Sequence, residues 1–184
     1  MFNFCPSCAS KKINFEEGKV FRCPDCGFVY YHNIAAATGC IISVPQADGA
    51  ERLVFLGRGK EPAIGKFDLP GGFVDVGEGV LEGLYRELRE EICWTPPVPQ
   101  GAPLTSVFRL FASFSNVYEY KSVKYNTCDM YFCVSAPGLK PEDLRLEQDE
   151  VAGVCFLRPE EIDFGQFAFE STRRAVKSYL RILD

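Results

Sequence analysis

The sequence lacks a long apolar run and an excess of basic residues. Its best apolar stretch, Ile34 to Val44, is shorter than the roughly 18 to 20 residues of a membrane-spanning helix. Residues Met1 to Cys5 lack the basic and apolar regions of a signal peptide. The net charge of −5 gives no bulk attraction for nucleic acid or for an anionic membrane. We therefore expect a cytoplasmic protein that has no membrane or nucleic-acid partner.

The chain of 184 residues also lacks internal repeats, and it is long enough for one well-buried domain plus a small appendage. An odd number of cysteines, nine, argues against a complete set of disulfides. Five of them lie in apolar surroundings, as reduced core thiols do in a reducing compartment. These five are Cys40, Cys93, Cys128, Cys133 and Cys155.

The other four cysteines form two Cys-x-x-Cys pairs, Cys5 with Cys8 and Cys23 with Cys26. The spacing is close to that of a four-cysteine zinc site. Pro6, Pro24 and Gly27 stand where the backbone must turn sharply for the two sulfurs of a pair to reach one ion. A redox dithiol or a pair of disulfides are the alternatives. The sequence therefore predicts a zinc ribbon over residues 1–32, stabilised by the metal because large apolar side chains are few.

From residue 33 to 184 the composition becomes β-rich, with two helices. The predicted strands are Ala36 to Val44, Arg52 to Arg58, Val107 to Phe114, Thr127 to Ser135 and Val151 to Leu157, and Ser113 to Tyr125 is predicted as a polar hairpin or loop. One helix is predicted from about Gly79 to Ile92. A second, from about Gln166 to Leu183, carries an apolar side formed by Phe169, Thr172, Val176, Tyr179, Leu180 and Leu183.

The first predicted helix places carboxylates together beside its apolar stripe. At one hundred degrees per residue, Glu87, Glu90 and Glu91 share one edge. A solvated face explains the Glu82 and Arg86 pair, but it does not explain like charges three and four residues apart in the last helical turn. A hard divalent cation, Mg²⁺ or Mn²⁺, together with a polyphosphate ligand, accounts for that crowding.

The run from Gly72 through Glu78 to Arg86, Glu87, Glu90 and Glu91 matches a known pattern. It resembles the Nudix box, G-x5-E-x7-R-E-U-x-E-E-x-G-U, where U is a bulky apolar residue. One departure is Cys93, which stands where the pattern has a glycine that ends the helix in a left-handed conformation.

The Nudix resemblance implies an α/β fold, an α/β/α sandwich with a mixed sheet, preceded here by the zinc ribbon. It implies that Glu87 and Glu91 are the principal metal ligands, with Glu90 close by and the Gly72 carbonyl completing the site. Arg86 and Glu78 would orient these groups. Glu87 is the expected general base, and Glu147, Asp149 and Glu150 are alternatives from a later loop.

The expected activity is metal-dependent hydrolysis of a phosphoanhydride in a nucleoside diphosphate derivative, ADP-ribose or dinucleotide-like. The ribbon resembles that of NADH pyrophosphatase-like enzymes, but their Ser-Gln-Pro-Trp type motif is absent, so NADH is not assigned. The tyrosines in the segment from Asn116 to Tyr125 are expected to stack on a base or, alternatively, to form a homodimer interface. A nucleotide-sensing regulator is the alternative function. The candidate phosphate partners are Arg58, Arg109 and Lys66.

Overall fold

The computed structural model describes residues 2–121 and 123–182 of the chain. Internal contacts divide the chain into two units, Met1–Ile34 and Ala35–Asp184. The boundary between residues 32 and 33 stays a prediction from composition. Within the described ranges, no helix combines the length and the apolar content that crossing a bilayer requires.

The first unit is a small antiparallel sheet around one buried aromatic ring. Phe21 is 2% exposed and packs edge-on against Phe2, with ring centroids 5.2 Å apart, and against Phe28 at 6.2 Å. So small a core cannot stabilise a unit of this length alone. The strands, paired in chain order, are β1 (Asn14–Glu16), β2 (Val20–Arg22) and β3 (Val29–Tyr31).

The second unit is built on a mixed six-stranded sheet. Its strands are β4 (Ala35–Pro45), β5 (Glu51–Arg58), β6 (Phe67–Asp68), β7 (Arg109–Tyr120), β8 (Val123–Ser135) and β9 (Val151–Leu157). The order is β6-β5-β4-β8-β7, and β9 pairs with β5. Strands β4 and β8 run parallel, whereas the other pairs are antiparallel. The predicted mixed sheet is confirmed.

Two helices cover opposite faces of the sheet, because β4 is apolar on both sides. Helix α1 (Val80–Ile92) packs its predicted stripe against Cys40 and Ile42, whereas α2 (Glu170–Leu180) packs on the face of Ile41. This alternation follows from the period of two along a strand. The predicted α/β/α sandwich is therefore confirmed. Leu183, assigned to the apolar side of the second helix, lies outside the described residues.

The polar segment from Ser113 to Tyr125, which was predicted as a hairpin or a loop, forms a hairpin. Strand β7 continues through it to Tyr120, and β8 begins at Val123. The register pairs Tyr118 with Tyr125 and Asn116 with Thr127, so cross-strand pairing continues along the hairpin. These strands carry polar side chains of the cleft described below.

The end of α1 keeps the geometry that the glycine of the Nudix pattern would provide. Cys93 adopts φ 49° and ψ 32°, a left-handed conformation, and its N–H donates to the Leu88 carbonyl. Two carbonyls of the last turn are also satisfied, because Glu147 N–H donates to Glu91 O at 3.0 Å and Arg145 N–H to Ile92 O at 3.1 Å. The loop after β8 is thereby tied to the acidic end of the helix.

We expect Cys93→Gly to stabilise the protein by about 0.5 to 1 kcal/mol. A side chain in the left-handed region costs about 1 to 2 kcal/mol, part of which glycine returns as entropy in the unfolded chain. The Cys93 side chain is exposed, so no packing is lost. Urea unfolding of the wild type, Cys93→Gly and the control Cys93→Ala measures the difference. A glycine variant no more stable than the alanine variant would contradict the assignment of strain.

Candidate active site

The loop before α1 lies directly on strand β4. Gly71 has φ 142°, and a Cβ there would lie 2.8 Å from the Gly39 Cα, so only glycine fits. The Thr38 N–H donates to the Gly72 carbonyl at 2.8 Å, which holds the loop on the strand. A Cβ on Gly72 would lie 2.6 Å from Glu87 Oε1. The two glycines therefore let loop backbone approach the carboxylates of the helix.

Arg86 joins the loop to three carboxylates. Its Nε donates to Glu78 Oε1 at 2.7 Å and its Nη2 to Glu78 Oε2 at 3.1 Å, a bidentate pair. Its Nη1 donates to Glu87 Oε1 at 2.8 Å and to Glu90 Oε2 at 3.1 Å, while Nη2 also donates to the Phe73 carbonyl at 3.0 Å. The guanidinium thus fixes the positions of Glu87 and Glu90 relative to the loop.

The predicted pairing of Arg86 with Glu82 is wrong. Within the described residues, the ion pairs of Arg86 are with Asp75, Glu78, Glu87 and Glu90. The Glu82 carboxylate instead accepts from the Gly79 N–H at 2.7 Å, one of the unpaired donors at the start of α1. These four carboxylates together outweigh Glu82 as partners of Arg86.

Glu91 points toward the loop, where its Oε2 accepts from the Gly71 N–H at 2.8 Å. Burial raises the pKa of Glu91 well above its ordinary value, and the negative charges of Glu87, Asp68 and Glu150 raise it further. Burial also raises the pKa of Glu87, against the lowering effect of Arg86. The charged forms are disfavoured, so this edge fits a cation that would neutralise the carboxylates.

A second group of carboxylates faces this edge from the loop before β9. Glu147 and Glu150 line one pocket together with Glu87, Glu90 and Glu91. Asp149, the third of the loop alternatives, does not line it. Hard oxygen donors of this kind suit Mg²⁺ or Mn²⁺, and Gly72 lines the adjoining cleft. The pocket brings the side chains of Glu87, Glu90 and Glu91 together and places two further glutamates beside them.

The acidic edge opens into a cleft of about 360 Å³, which continues across the sheet to β7, β8 and the start of α2. Arg58 and Lys60 line it, whereas Arg109 and Lys66 do not. Lys66 instead donates to the Gly165 carbonyl at 3.3 Å. Of the three predicted phosphate partners, only Arg58 is therefore placed to meet a ligand, and Lys60, which pairs with Glu150, was missed.

Arg58 is held on three sides and unpaired on a fourth. Its Nε donates to the Pro62 carbonyl at 2.7 Å, its Nη1 donates to Asp68 at 3.0 Å, and its guanidinium lies 5.0 Å from the Phe169 ring centroid. Its Nη2 is buried without a hydrogen-bond partner among the described residues, as is Thr38 Oγ1, also in the cleft. Buried polar atoms normally have partners, so a ligand would supply what these lack.

Aromatic rings form another part of the cleft lining. Tyr118 contacts Phe73 at a centroid distance of 5.4 Å and Phe169 at 5.6 Å. Tyr118 and Asn116 belong to the segment predicted to stack on a base, and both line the cleft. Phe73 and Phe169 were not predicted as ligand contacts, because Phe73 occupies a variable position of the box and Phe169 was assigned to an apolar helix side.

The four cysteines of the first unit come together as predicted. Their sulfur atoms all lie within 4.8 Å of one another. The Sγ atoms of Cys5 and Cys26 are 3.6 Å apart, as are those of Cys8 and Cys23, which is far beyond a disulfide bond of about 2.05 Å. Tetrahedral zinc with Zn–S bonds of about 2.3 Å separates its sulfurs by roughly 3.8 Å. The donor set therefore fits zinc.

The two cysteine pairs use the same backbone turn. Cys5 N–H donates to the Ser10 carbonyl and Cys5 O accepts from Ala9 N–H, at 2.9 and 2.8 Å. In the same way, Cys23 N–H donates to the Phe28 carbonyl and Cys23 O accepts from Gly27 N–H, both at 2.9 Å. Ala9 in the first turn and Gly27 in the second occupy the same position, and both have a positive φ, 59° and 75° respectively. Equivalent turns that aim four sulfurs at one point are typical of a metal-binding ribbon.

A family model, that of the NUDIX domain, matches residues 34–178, which is most of the chain. The chain belongs to the Nudix hydrolase family. Among solved structures, a NUDIX hydrolase from Nitrosomonas europaea superimposes with a TM-score of 0.64 at 23% identity and covers 98% of this chain and 91% of its own. The NUDIX domain of NrtR from Shewanella oneidensis, solved with ADP ribose, superimposes with a TM-score of 0.62 at 14% identity. The match covers 83% of this chain and 91% of that domain. These identities support the Nudix fold alone.

Curated relatives of this Nudix chain match over shorter segments. The NAD-capped RNA hydrolase NudC of Pseudomonas aeruginosa is 30% identical over 89 residues, 48% of this chain and 30% of that protein. An ADP-ribose pyrophosphatase of Methanocaldococcus jannaschii is 36% identical over 70 residues, 38% of each chain. The matched segment therefore spans about a third of the curated relatives' length. Membership of the Nudix family is established, whereas the substrate is not carried over with it.

Proposed function

We propose that this chain hydrolyses a phosphoanhydride bond in a nucleoside diphosphate linked to another moiety, an ADP-ribose-like or dinucleotide-like substrate. One observation carries the proposal. A single cleft joins the clustered glutamates of α1 to Arg58 and to the wall formed by Phe73, Tyr118 and Phe169. Carboxylates with a divalent ion suit a diphosphate, and aromatic rings suit a base. The relatives named for NAD-capped RNA and ADP-ribose are in keeping with this substrate class.

We assign the catalytic metal to Glu87 and Glu91, with Glu90 and the Gly72 carbonyl beside them. When bound, Mg²⁺ or Mn²⁺ lowers the pKa of water and neutralises charge on the phosphoryl oxygens. The protein's own contribution is to hold these oxygen donors in place. Arg86 and Glu78 do this through their bidentate ion pair, and Gly71 does it through its hydrogen bond to Glu91.

Glu87 is our proposed general base. It takes a proton from a water molecule whose oxygen forms a new bond to one phosphorus, and the bond from that phosphorus to the bridging oxygen breaks. The leaving phosphate keeps the bridging oxygen and its electron pair. Arg58 and Lys60 bind the phosphates along the cleft wall. Their positive charges offset the repulsion between the glutamates and the negatively charged phosphates. Glu150 is the alternative base, and its carboxylate forms an ion pair with Lys60 as that of Glu87 does with Arg86.

The zinc proposed for the ribbon is structural, since all four ligand positions are filled by cysteine. A cytoplasmic location and a homodimer stay predictions.

A panel of nucleoside diphosphate derivatives, incubated with Mg²⁺ or Mn²⁺ in ¹⁸O-labelled water, tests the activity. We expect two phosphomonoester products, one of which carries the label, and no turnover when divalent ions are omitted. Mass spectrometry of the separated products identifies the phosphorus attacked. Intact substrates across the panel, together with tight and steeply salt-dependent binding of nucleic acid, would instead favour the nucleotide-sensing regulator.

A further inference from the structure

The cleft contains a buried carboxylate that the proposed chemistry does not use. Asp129 on β8 is 7% exposed and lines the cleft on the α2 face of the sheet. Its Oδ1 accepts from the Thr127 hydroxyl at 2.5 Å. Its Oδ2 accepts from the Ser171 hydroxyl at 2.7 Å, and the Tyr131 hydroxyl, 3.5 Å from Oδ2, donates to Ser171 Oγ at 3.0 Å. Two hydroxyls, one from β8 and one from α2, therefore hold the group in one orientation.

A carboxylate in a cleft for an anionic substrate has a restricted range of ligand partners. It accepts hydrogen bonds only, at about four lone-pair positions, and the Thr127 and Ser171 hydroxyls occupy two of these. A phosphate would be repelled there, and an apolar group would leave the remaining positions unsatisfied. The ligand atom that meets Asp129 is therefore a hydrogen-bond donor without negative charge.

Asn116 supplies the complementary group beside it. Its Oδ1 accepts from the Val117 N–H at 2.8 Å, so its amide N–H₂ is the part left for a ligand. Asn116 lies opposite Thr127 in the register of β7 and β8, one position along the same face from Asp129. The pair offers one acceptor and one donor side by side. An amino group next to a ring acceptor matches this arrangement.

Small residues of β4 line the cleft next to these groups. Ala37 and Gly39 lie opposite Asp129 and Tyr131 on β8, and both line the cleft. The Tyr131 ring lies against Gly39, 2.9 Å from where a Cβ would be, whereas Ala37 adds only a methyl group to the lining. The ring of Tyr118, with Phe73 and Phe169 against it, supplies the aromatic surface of the same space. A planar heterocycle can stack there while its edge faces Asp129.

We propose that Asp129 and Asn116 select a purine base that carries an exocyclic amino group, stacked on the wall formed by Phe73, Tyr118 and Phe169. The inference deepens the proposed function and rests on it for the position of the diphosphate. The ligand edge has an amino group donating to Asp129 and a neighbouring ring acceptor facing the Asn116 amide. Adenine and guanine both have this chemistry, whereas unsubstituted purine and hypoxanthine lack the amino group.

Binding of nucleoside monophosphates tests this without hydrolysis, because a monophosphate has no phosphoanhydride. Calorimetry in Mg²⁺ compares AMP with purine riboside monophosphate and GMP with IMP, each pair differing by one amino group. We expect the amino compound of at least one pair to bind about tenfold to hundredfold more tightly, as for a hydrogen bond to a charged group. Equal affinities within both pairs, or no binding of AMP or GMP, would overturn the proposal.

Asp129→Asn is the matched variant, since it keeps the shape and lets the surrounding hydroxyls reorient. It should reduce that preference by about tenfold or more while ribose 5-phosphate binds as before. Glu119→Gln, which removes an exposed charge from the same hairpin outside the cleft, should retain the full preference. A preference unchanged in Asp129→Asn, or an equal loss for ribose 5-phosphate, would show that Asp129 does not read the base. The wild-type comparison stands even if this variant fails to fold.

Discussion

Replacing Glu91 with glutamine is expected to lower metal-dependent turnover by more than about 100-fold, beyond the effect usually seen when a residue merely supports a metal ligand. Glutamine cannot supply the negative charge that a hard divalent cation requires. Its amide oxygen can still accept the Gly71 N–H, so the contact of α1 with the loop is preserved. Initial rates at saturating Mg²⁺ and at saturating Mn²⁺ measure the loss.

Glu82→Gln is the matched control for that experiment. Glu82 lies on the same helix but accepts from the Gly79 N–H at its start, an interaction that glutamine also makes. The control should keep the wild-type rate. If Glu91→Gln hydrolyses the substrate as fast as Glu82→Gln, the metal-ligand role of Glu91 is wrong.

The stability of Glu91→Gln separates a damaged site from a damaged fold. Burial raises the pKa of Glu91 in the folded chain, so the folded state binds more protons than the unfolded state between the two pKa values. The stability contributed by this group is present below the unfolded value of about 4.3 and is lost as the pH rises through the folded value. At neutral pH without divalent ions, the variant should therefore be as stable as the wild type or more stable.

Substituting Cys23 with serine is expected to release zinc and to unfold the ribbon. Structural zinc contributes an apparent 10 to 16 kcal/mol in such modules, whereas the core of this unit is essentially Phe21. Elemental analysis should find about one zinc per wild-type chain and close to none in the variant. Proteolysis followed by mass spectrometry should show cleavage between residues 2 and 34 in the variant alone.

Cys155→Ser serves as the control for this loss. Cys155 is a free thiol of β9, outside the four-cysteine cluster, and burial raises its pKa. Its removal should leave the zinc content unchanged. Full zinc content in Cys23→Ser, or equal loss in both variants, would be incompatible with a four-sulfur site in the ribbon.

Local patterns predicted the features whose causes are local. The period of apolar residues in α1 fixed both its stripe and the grouping of Glu87, Glu90 and Glu91, and the spacing of Cys5, Cys8, Cys23 and Cys26 anticipated their cluster. Arg86 was a different case. Its neighbours in sequence suggested a pair with Glu82, but the loop folds back to place Glu78 within 2.7 Å.

The ligand-facing side of the cleft depends on contacts between distant segments, which a single sequence does not disclose. Asp129 and Ser171 lie 42 positions apart, and their hydrogen bond exists only because α2 packs over β8. Lys60 was not considered because its partner, Glu150, comes much later in the chain, just before strand β9. The one available signal was a lone aspartate, Asp129, in the apolar stretch from Cys128 to Val134, since a buried charge requires partners.

Calorimetric titration of Mn²⁺ into the zinc-loaded wild type and into Glu91→Gln tests the central claim most directly. The claim is that the carboxylates of α1 stand together to hold a divalent cation. We expect saturable uptake of Mn²⁺ by the wild type and at least tenfold weaker uptake by the variant, because one anionic ligand is lost. Identical titrations of the two proteins, or no uptake by the wild type, would contradict it.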